Sequence, residues 1–202
     1  LNEEARPLAK EILTAGGAAK TPELQRSIAR VNELCERMND EVYRRTTAAF
    51  SDDHSPIILG GDHSVAFGAV RAAAERYPGL GILHFDAHAD LRPSYESFTC
   101  SHASIFHNLI TKLDSLGPIL QVGLRDFGER EHEEIKARPE KLRAVFDSDW
   151  SRARLEGRDL AVHVRDSLSF LPETVWVSFD IDGLDPSLCP GTGTPVPGGL
   201  TW

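Results

Sequence analysis

Gly81-Ile82-Leu83-His84-Phe85-Asp86-Ala87-His88-Ala89-Asp90 is the stretch on which fold and chemistry both turn. Its first half is a short, mostly apolar run opened by glycine, the pattern of a strand buried on both faces. Polarity then changes abruptly, with two carboxylates and an imidazole separated only by alanines. On an extended chain Asp86, His88 and Asp90 would point to one side. Burying such groups together costs several kcal/mol unless a cation accompanies them. A metal ion removes that cost.

Two further stretches have the same construction. Gly60-Gly61-Asp62-His63-Ser64 follows the apolar run Pro56-Ile57-Ile58-Leu59. Ser178-Phe179-Asp180-Ile181-Asp182-Gly183-Leu184-Asp185-Pro186 follows Thr174-Val175-Trp176-Val177. In open parallel sheets, sites form outside the carboxyl ends of strands. One site built from three strand ends explains all three stretches.

The rest of the chain supports that frame. Thr21-Pro22 opens a helix running to about residue 50, with Leu24, Ile28, Val31, Leu34 and Met38 as its apolar stripe. Residues 1–20 carry no clear element, and Gly16-Gly17 is a breaker. Strands are expected at 56–59, 80–85, 118–124, 142–147 and 174–180. Helices are expected at 64–76, 102–114, 128–137 and 155–170. This alternation predicts an α/β fold with a parallel sheet covered on both faces.

Composition sets the outer bounds. Hydrophobic residues make up 41% and charged residues 26% of the chain, ordinary for a globular protein. The net charge of -9 and the lack of a basic stripe argue against nucleic acid. No apolar run approaches a membrane span, and no signal-peptide pattern opens the chain. Cys35, Cys100 and Cys189 share no zinc or disulfide spacing, so cytoplasm is the expected location. Both ends read as cut: the chain begins with Leu1 and stops at Trp202, just after a glycine-rich lead-in.

His63, Asp86, His88, Asp90, Asp180 and Asp182 form one candidate shell of four carboxylates and two imidazoles. That is too many donors for one four-coordinate ion. Two divalent ions sharing carboxylates fit better. A carboxylate-rich, thiol-free shell favours Mn²⁺-like ions, with other divalent ions allowed. Two such ions lower the pKa of a shared water, which points to metal-assisted hydrolysis. The charge balance of the filled site suits a cationic substrate better than an anionic phosphate. His102 is the best candidate for proton delivery, with helix capping or a surface histidine an equal alternative on spacing alone. His84, inside the strand, is expected to be a satisfied buried histidine.

These three stretches resemble the metal signatures of the ureohydrolase (arginase/agmatinase) family, in the family's order and with its spacings. The resemblance runs from about residue 20 onward. It implies a three-layer α/β/α arginase-like fold, incomplete here, in a single ureohydrolase-like domain over 1–202. It implies two Mn²⁺ ions. His63, Asp86, Asp90 and Asp180 would hold one, and Asp86, His88, Asp180 and Asp182 the other, with Asp86 and Asp180 bridging. His102 would transfer protons. The reaction would cleave a small cationic guanidino substrate to urea and an amine.

Pro190-Gly191-Thr192-Gly193-Thr194-Pro195 is more similar to agmatinases than to arginases, and Thr194 would supply a substrate-side hydroxyl. Agmatine, giving putrescine, is therefore the lead substrate. Guanidinobutyrase, arginase and formimidoylglutamase-like activities are the alternatives. Family members are commonly oligomers, so a homo-oligomer is expected. The family's guanidinium-pairing glutamate, which lies in its C-terminal part, has no counterpart here. Two rivals compete. A dimetal phosphoesterase shares Asp-x-His and Gly-Asp elements but runs them in the opposite order. A truncated, non-catalytic subunit would have little need for six intact ligands.

Overall fold

The computed structural model describes residues 1–201. The chain divides into two compact units. The first holds Leu1–Ala73 and Leu91–Leu113; the second holds Ala74–Asp90 and the chain from Asp114 onward.

In the first unit, helix α1 (Asn2–Thr14) packs on helix α2 (Pro22–Ser51). The Thr21 side chain caps α2 by accepting the Leu24 N–H at 3.3 Å, and Pro22 occupies the first turn, where no N–H is needed. The expected stripe is the buried one: Leu24, Ile28 and Val31 meet Ile12 of α1. The sequence pattern predicts no element over residues 1–20, where α1 forms. Pro7 and a polar surface hide α1. Burial of Ile12, the Arg30–Glu4 ion pair and the acidic first turn (Glu3, Glu4) hold it in place.

The expected strand at 56–59 does not form. A strand needs a neighbour to receive its backbone N–H and C=O groups, and this run joins no ladder. Ile57 and Leu59 are 85% and 92% exposed. Two short 3₁₀ turns follow in this unit, His63–Val65 and His102–Ser104, and they lie against each other. Each leads into a helix, α3 (Ala66–Arg76) and α4 (Ile105–Lys112).

The second unit is built on a wholly parallel sheet of β1 (Gly81–Phe85), β2 (Ile119–Leu124), β3 (Leu142–Phe146) and β4 (Val175–Phe179), in the order β3-β2-β1-β4. All four strands fall within a residue or so of their predicted positions. Its core is apolar and dense, with Ile82, Ile119, Leu120 and Leu124 fully buried. Helix α5 (Glu129–Ala137) lies between β2 and β3 in the chain, as expected. The single helix expected at 155–170 is two: α6 (Asp147–Leu155) and α7 (Leu160–Leu168). Gly157, at φ +66°, breaks them, and Asp159 caps α7 by accepting from the N–H groups of Ala161 and Val162. One sheet face is less covered than expected. Val177 and Phe179 of β4 share a face with Leu83 and Phe85, yet are 59% and 49% exposed. Among the described residues β4 pairs only with β1, so it is an edge strand.

Candidate metal centre

The site grows from the carboxyl ends of β1 and β4, which are hydrogen-bonded neighbours. At the end of β1 the chain turns, and the His88 N–H donates to Asp86 Oδ1 at 2.7 Å. At the end of β4 a 3₁₀ turn (Ile181–Gly183) brings Asp182 back toward β1. Asp180 caps that turn, accepting the Asp182 N–H at 3.3 Å. Asp182 Oδ1 in turn accepts the Ala87 N–H at 3.2 Å. Gly123 and Gly183 make this closeness possible. A Cβ on Gly183 would sit 3.0 Å from the Asp86 nitrogen, and one on Gly123 would sit 3.1 Å from the Asp86 carbonyl oxygen.

Asp86, His88 and Asp182 converge, with one ligand atom from each within 4.8 Å of the others. Both carboxylates are buried and His88 is half-buried. His88 Nδ1 lies 3.1 Å from Asp182 Oδ2 and 3.3 Å from Asp86 Oδ1. Asp182 first and Asp86 second push the His88 imidazole up to about 10, against the opposing effect of burial. Two buried carboxylates aimed at one imidazole nitrogen make an anionic pocket, which a proton or a divalent cation neutralises. Hard oxygen donors with an imidazole suit Mn²⁺-like ions, so the residues present fit the expected metal.

The other predicted residues take distinct places. Thr194 Oγ1 donates to Asp182 Oδ2 at 2.9 Å, which seats its loop against the acidic pocket. Asp180 is half-buried one turn from Asp182. Asp90 is buried but stands outside the convergent trio. Its φ of +53° ends the extended geometry that would have aligned it with Asp86 and His88. In the first unit, His63 opens its 3₁₀ turn half-buried, with its ring edge-on to Phe106 at 5.5 Å. His102 opens the neighbouring turn, exposed, with its ring 5.5 Å from that of Tyr95.

Three further residues of the second unit, outside the predicted set, shape the site. Gln121 stands beside His84 in the sheet and donates to its Nδ1 at 3.0 Å. Asp126 places a carboxylate oxygen 3.7 Å from His88 Nε2. Arg125 reaches the carbonyls of Gly123, Asp182, Gly183, Leu184 and Val196 at 2.6–3.3 Å. It ties the Asp182 turn to the Thr194 loop. That loop is closed further by pairing of Leu184 with Leu200 and by Asp147, which accepts the Gly199 N–H. A glutamine inside the apolar run Ile119–Val122 was a legible signal, because a buried polar side chain needs partners.

Comparison with known proteins points to one family. The sequence profile described as the arginase family matches residues 17–202. An N(1)-aminopropylagmatine ureohydrolase of Thermus thermophilus is 39% identical over 146 residues, covering 72% of this chain and 46% of that protein. A guanidinobutyrase of Pseudomonas aeruginosa is 35% identical, covering 72% of this chain and 45% of that protein. The chain thus spans about half the length of the curated relatives it matches. The agmatine ureohydrolase structure of Thermoplasma volcanium superposes with a TM-score of 0.68 at 32% identity, covering 83% of this chain and 53% of that one. An arginase structure of Bacillus subtilis superposes with a TM-score of 0.70 at 27% identity, covering 81% and 60%. The profile match over residues 17–202, with these relatives and superpositions, shows that the chain belongs to the arginase family.

Proposed function

We propose that the chain carries the binuclear metal centre of a manganese ureohydrolase that cleaves a guanidino group to urea and an amine, with agmatine as the lead substrate. The observation that carries this reading is the convergence of Asp86 and Asp182 on His88, at the ends of two paired strands. By resemblance to the family's metal signatures, His63, Asp86, Asp90 and Asp180 would hold one ion, and Asp86, His88, Asp180 and Asp182 the other. When bound, the ions supply a nucleophilic water near neutral pH. Asp182 is itself held by Thr194 and by the Ala87 N–H, so its carboxylate is already oriented. Thr194 also faces the substrate with its hydroxyl. His102 passes a proton to the leaving amine.

Substrate choice rests on two features. The pocket is acidic, with Asp126 beside His88, which suits a cationic group. The relatives include an aminopropylagmatine ureohydrolase and a guanidinobutyrase, so a guanidino compound is common ground. Both units belong to one ureohydrolase-like domain, working in the cytoplasm as a homo-oligomer without nucleic acid or membrane. Among the described residues no helix is long and apolar enough to cross a membrane.

Metal content is the test of this reading. The protein should take up two Mn²⁺ per chain. His88→Ala and Asp180→Ala should each lower that number and abolish urea release. Wild-type protein that binds no divalent ion would overturn the reading.

A further inference from the structure

His84 is fully buried in β1, flanked in register by Gln121 of β2 and Ser178 of β4, on a sheet face that also carries Ile82 and Ile119. A buried imidazole there needs partners for both nitrogens. The structure provides both. Nε2 lies 2.9 Å from Asp86 Oδ2, and Nδ1 lies 3.0 Å from Gln121 Nε2.

The direction of these bonds follows from a third contact. Gln121 Nε2 also lies 2.8 Å from the Ala89 carbonyl oxygen. A carbonyl only accepts, so the amide must present its NH₂ group to it. Turning the amide over would set two oxygens against each other. The same NH₂ group faces His84 Nδ1, which must therefore accept. The ring proton then sits on Nε2 and is donated to Asp86. Gln121 Oε1 is left buried with no hydrogen-bond partner, a cost of about 1–3 kcal/mol. That cost is accepted while the two donors of the same amide are both used.

We propose that Gln121 locks His84 as its Nε2–H tautomer, and that His84 is thereby a positioning residue that orients Asp86 for the metal centre without being a ligand itself. The Nδ1 lone pair is taken by Gln121, and Nε2 carries a hydrogen, so the ring offers no lone pair to an ion. The device spans β2, β1 and the turn after β1, since Ala89 fixes the amide that fixes the ring that fixes the carboxylate. Partners of this kind behind a metal ligand change metal affinity by roughly 10–100-fold. The proposal rests on the metal centre of the preceding section.

The test has two parts. In ¹⁵N-histidine-labelled, metal-free protein, long-range ¹H–¹⁵N spectra should show His84 as the Nε2–H tautomer. Gln121→Met should weaken that preference, with Asp86 left as an acceptor that favours it. Mn²⁺ titration followed by electron paramagnetic resonance should show roughly 10–100-fold weaker binding for His84→Phe and for Gln121→Met. Circular dichroism checks that each variant is folded. If neither variant folds, the wild-type tautomer decides. An Nδ1–H tautomer, or folded variants with wild-type Mn²⁺ affinity, would overturn the proposal while leaving the metal centre standing. Wild-type protein that binds no Mn²⁺ would overturn both.

Discussion

Thr194 Oγ1 donates to Asp182 Oδ2 at 2.9 Å, although the two are twelve positions apart in sequence. The hydroxyl of the glycine-rich loop is thus bonded to the same carboxylate oxygen that meets His88. Loop and acidic pocket are coupled through one atom. Thr194→Val keeps the shape and removes the donor. A hydrogen bond to a charged group contributes about 1.5–3 kcal/mol, so kcat/KM should fall roughly 10–100-fold. Mn²⁺ content should stay at two per chain, as measured by atomic emission. Unchanged kcat/KM would detach Thr194 from the reaction.

Arg125 is the second link between that loop and the pocket. Its guanidinium fork spans carbonyls of three segments: Gly123, the turn at 182–184, and Val196. Lysine is a point charge and cannot bridge the same set. Arg125→Lys and Arg125→Met should both loosen residues 185–199. Hydrogen exchange at the Gly199 and Leu200 amides, and proteolysis within the loop, should accelerate together. Protection equal to wild type in either variant would show that the clamp is redundant.

The pH behaviour of the metal-free protein follows from His88. Its imidazole is pushed up to about 10 in the folded chain, from an ordinary value of 6.5. A raised histidine contributes stability in full below its unfolded value. That contribution is lost progressively as pH rises from about 6.5 to about 10. Denaturant midpoints of the metal-free protein should therefore fall across this window. Asp182→Asn removes the larger cause and should flatten the decline. A midpoint that rises over the window in the wild type would contradict the assignment.

His102 lies exposed at the start of its 3₁₀ turn, and no side-chain cap holds that turn. Capping is thereby weakened as an alternative to proton transfer, whereas the exposure fits the other alternative, a surface histidine. His102→Ala should keep both ions and slow turnover by roughly 10²–10⁴-fold. Steady-state kinetics beside metal analysis reads this directly. Full turnover in the variant would remove His102 from the mechanism.

Much of this was legible in the sequence. Short apolar runs closed by acidic or histidine-bearing turns marked β1 and β4, and the alternation around them marked β2 and β3. The ligand turns were legible for the same reason: Asp86, His88 and Asp182 have no apolar role to play at those positions. Other features depend on tertiary partners. Helix α1 exists because Ile12 finds Leu24, Ile28 and Val31. The run at 56–59 has the composition of a strand but joins no ladder, and its side chains stay exposed. Asp90 fits the i, i+2, i+4 pattern only while the backbone stays extended, and its positive φ ends that. Arg125 acts mainly on carbonyls distant in sequence, which no local pattern announces, whereas Gln121 is marked only by its place inside an apolar run. The boundary between α6 and α7 was readable in Gly157 and Asp159, a break and a cap two residues apart.

The most direct measurement is urea release from agmatine, arginine and guanidinobutyrate by Mn²⁺-loaded protein, with a generic phosphodiester as control. Urea should form from at least one of these, agmatine foremost, and be lost in His88→Ala, with no phosphate from the control. Two ions bound with no urea from any of the three, or phosphate released without urea, would contradict the ureohydrolase reading.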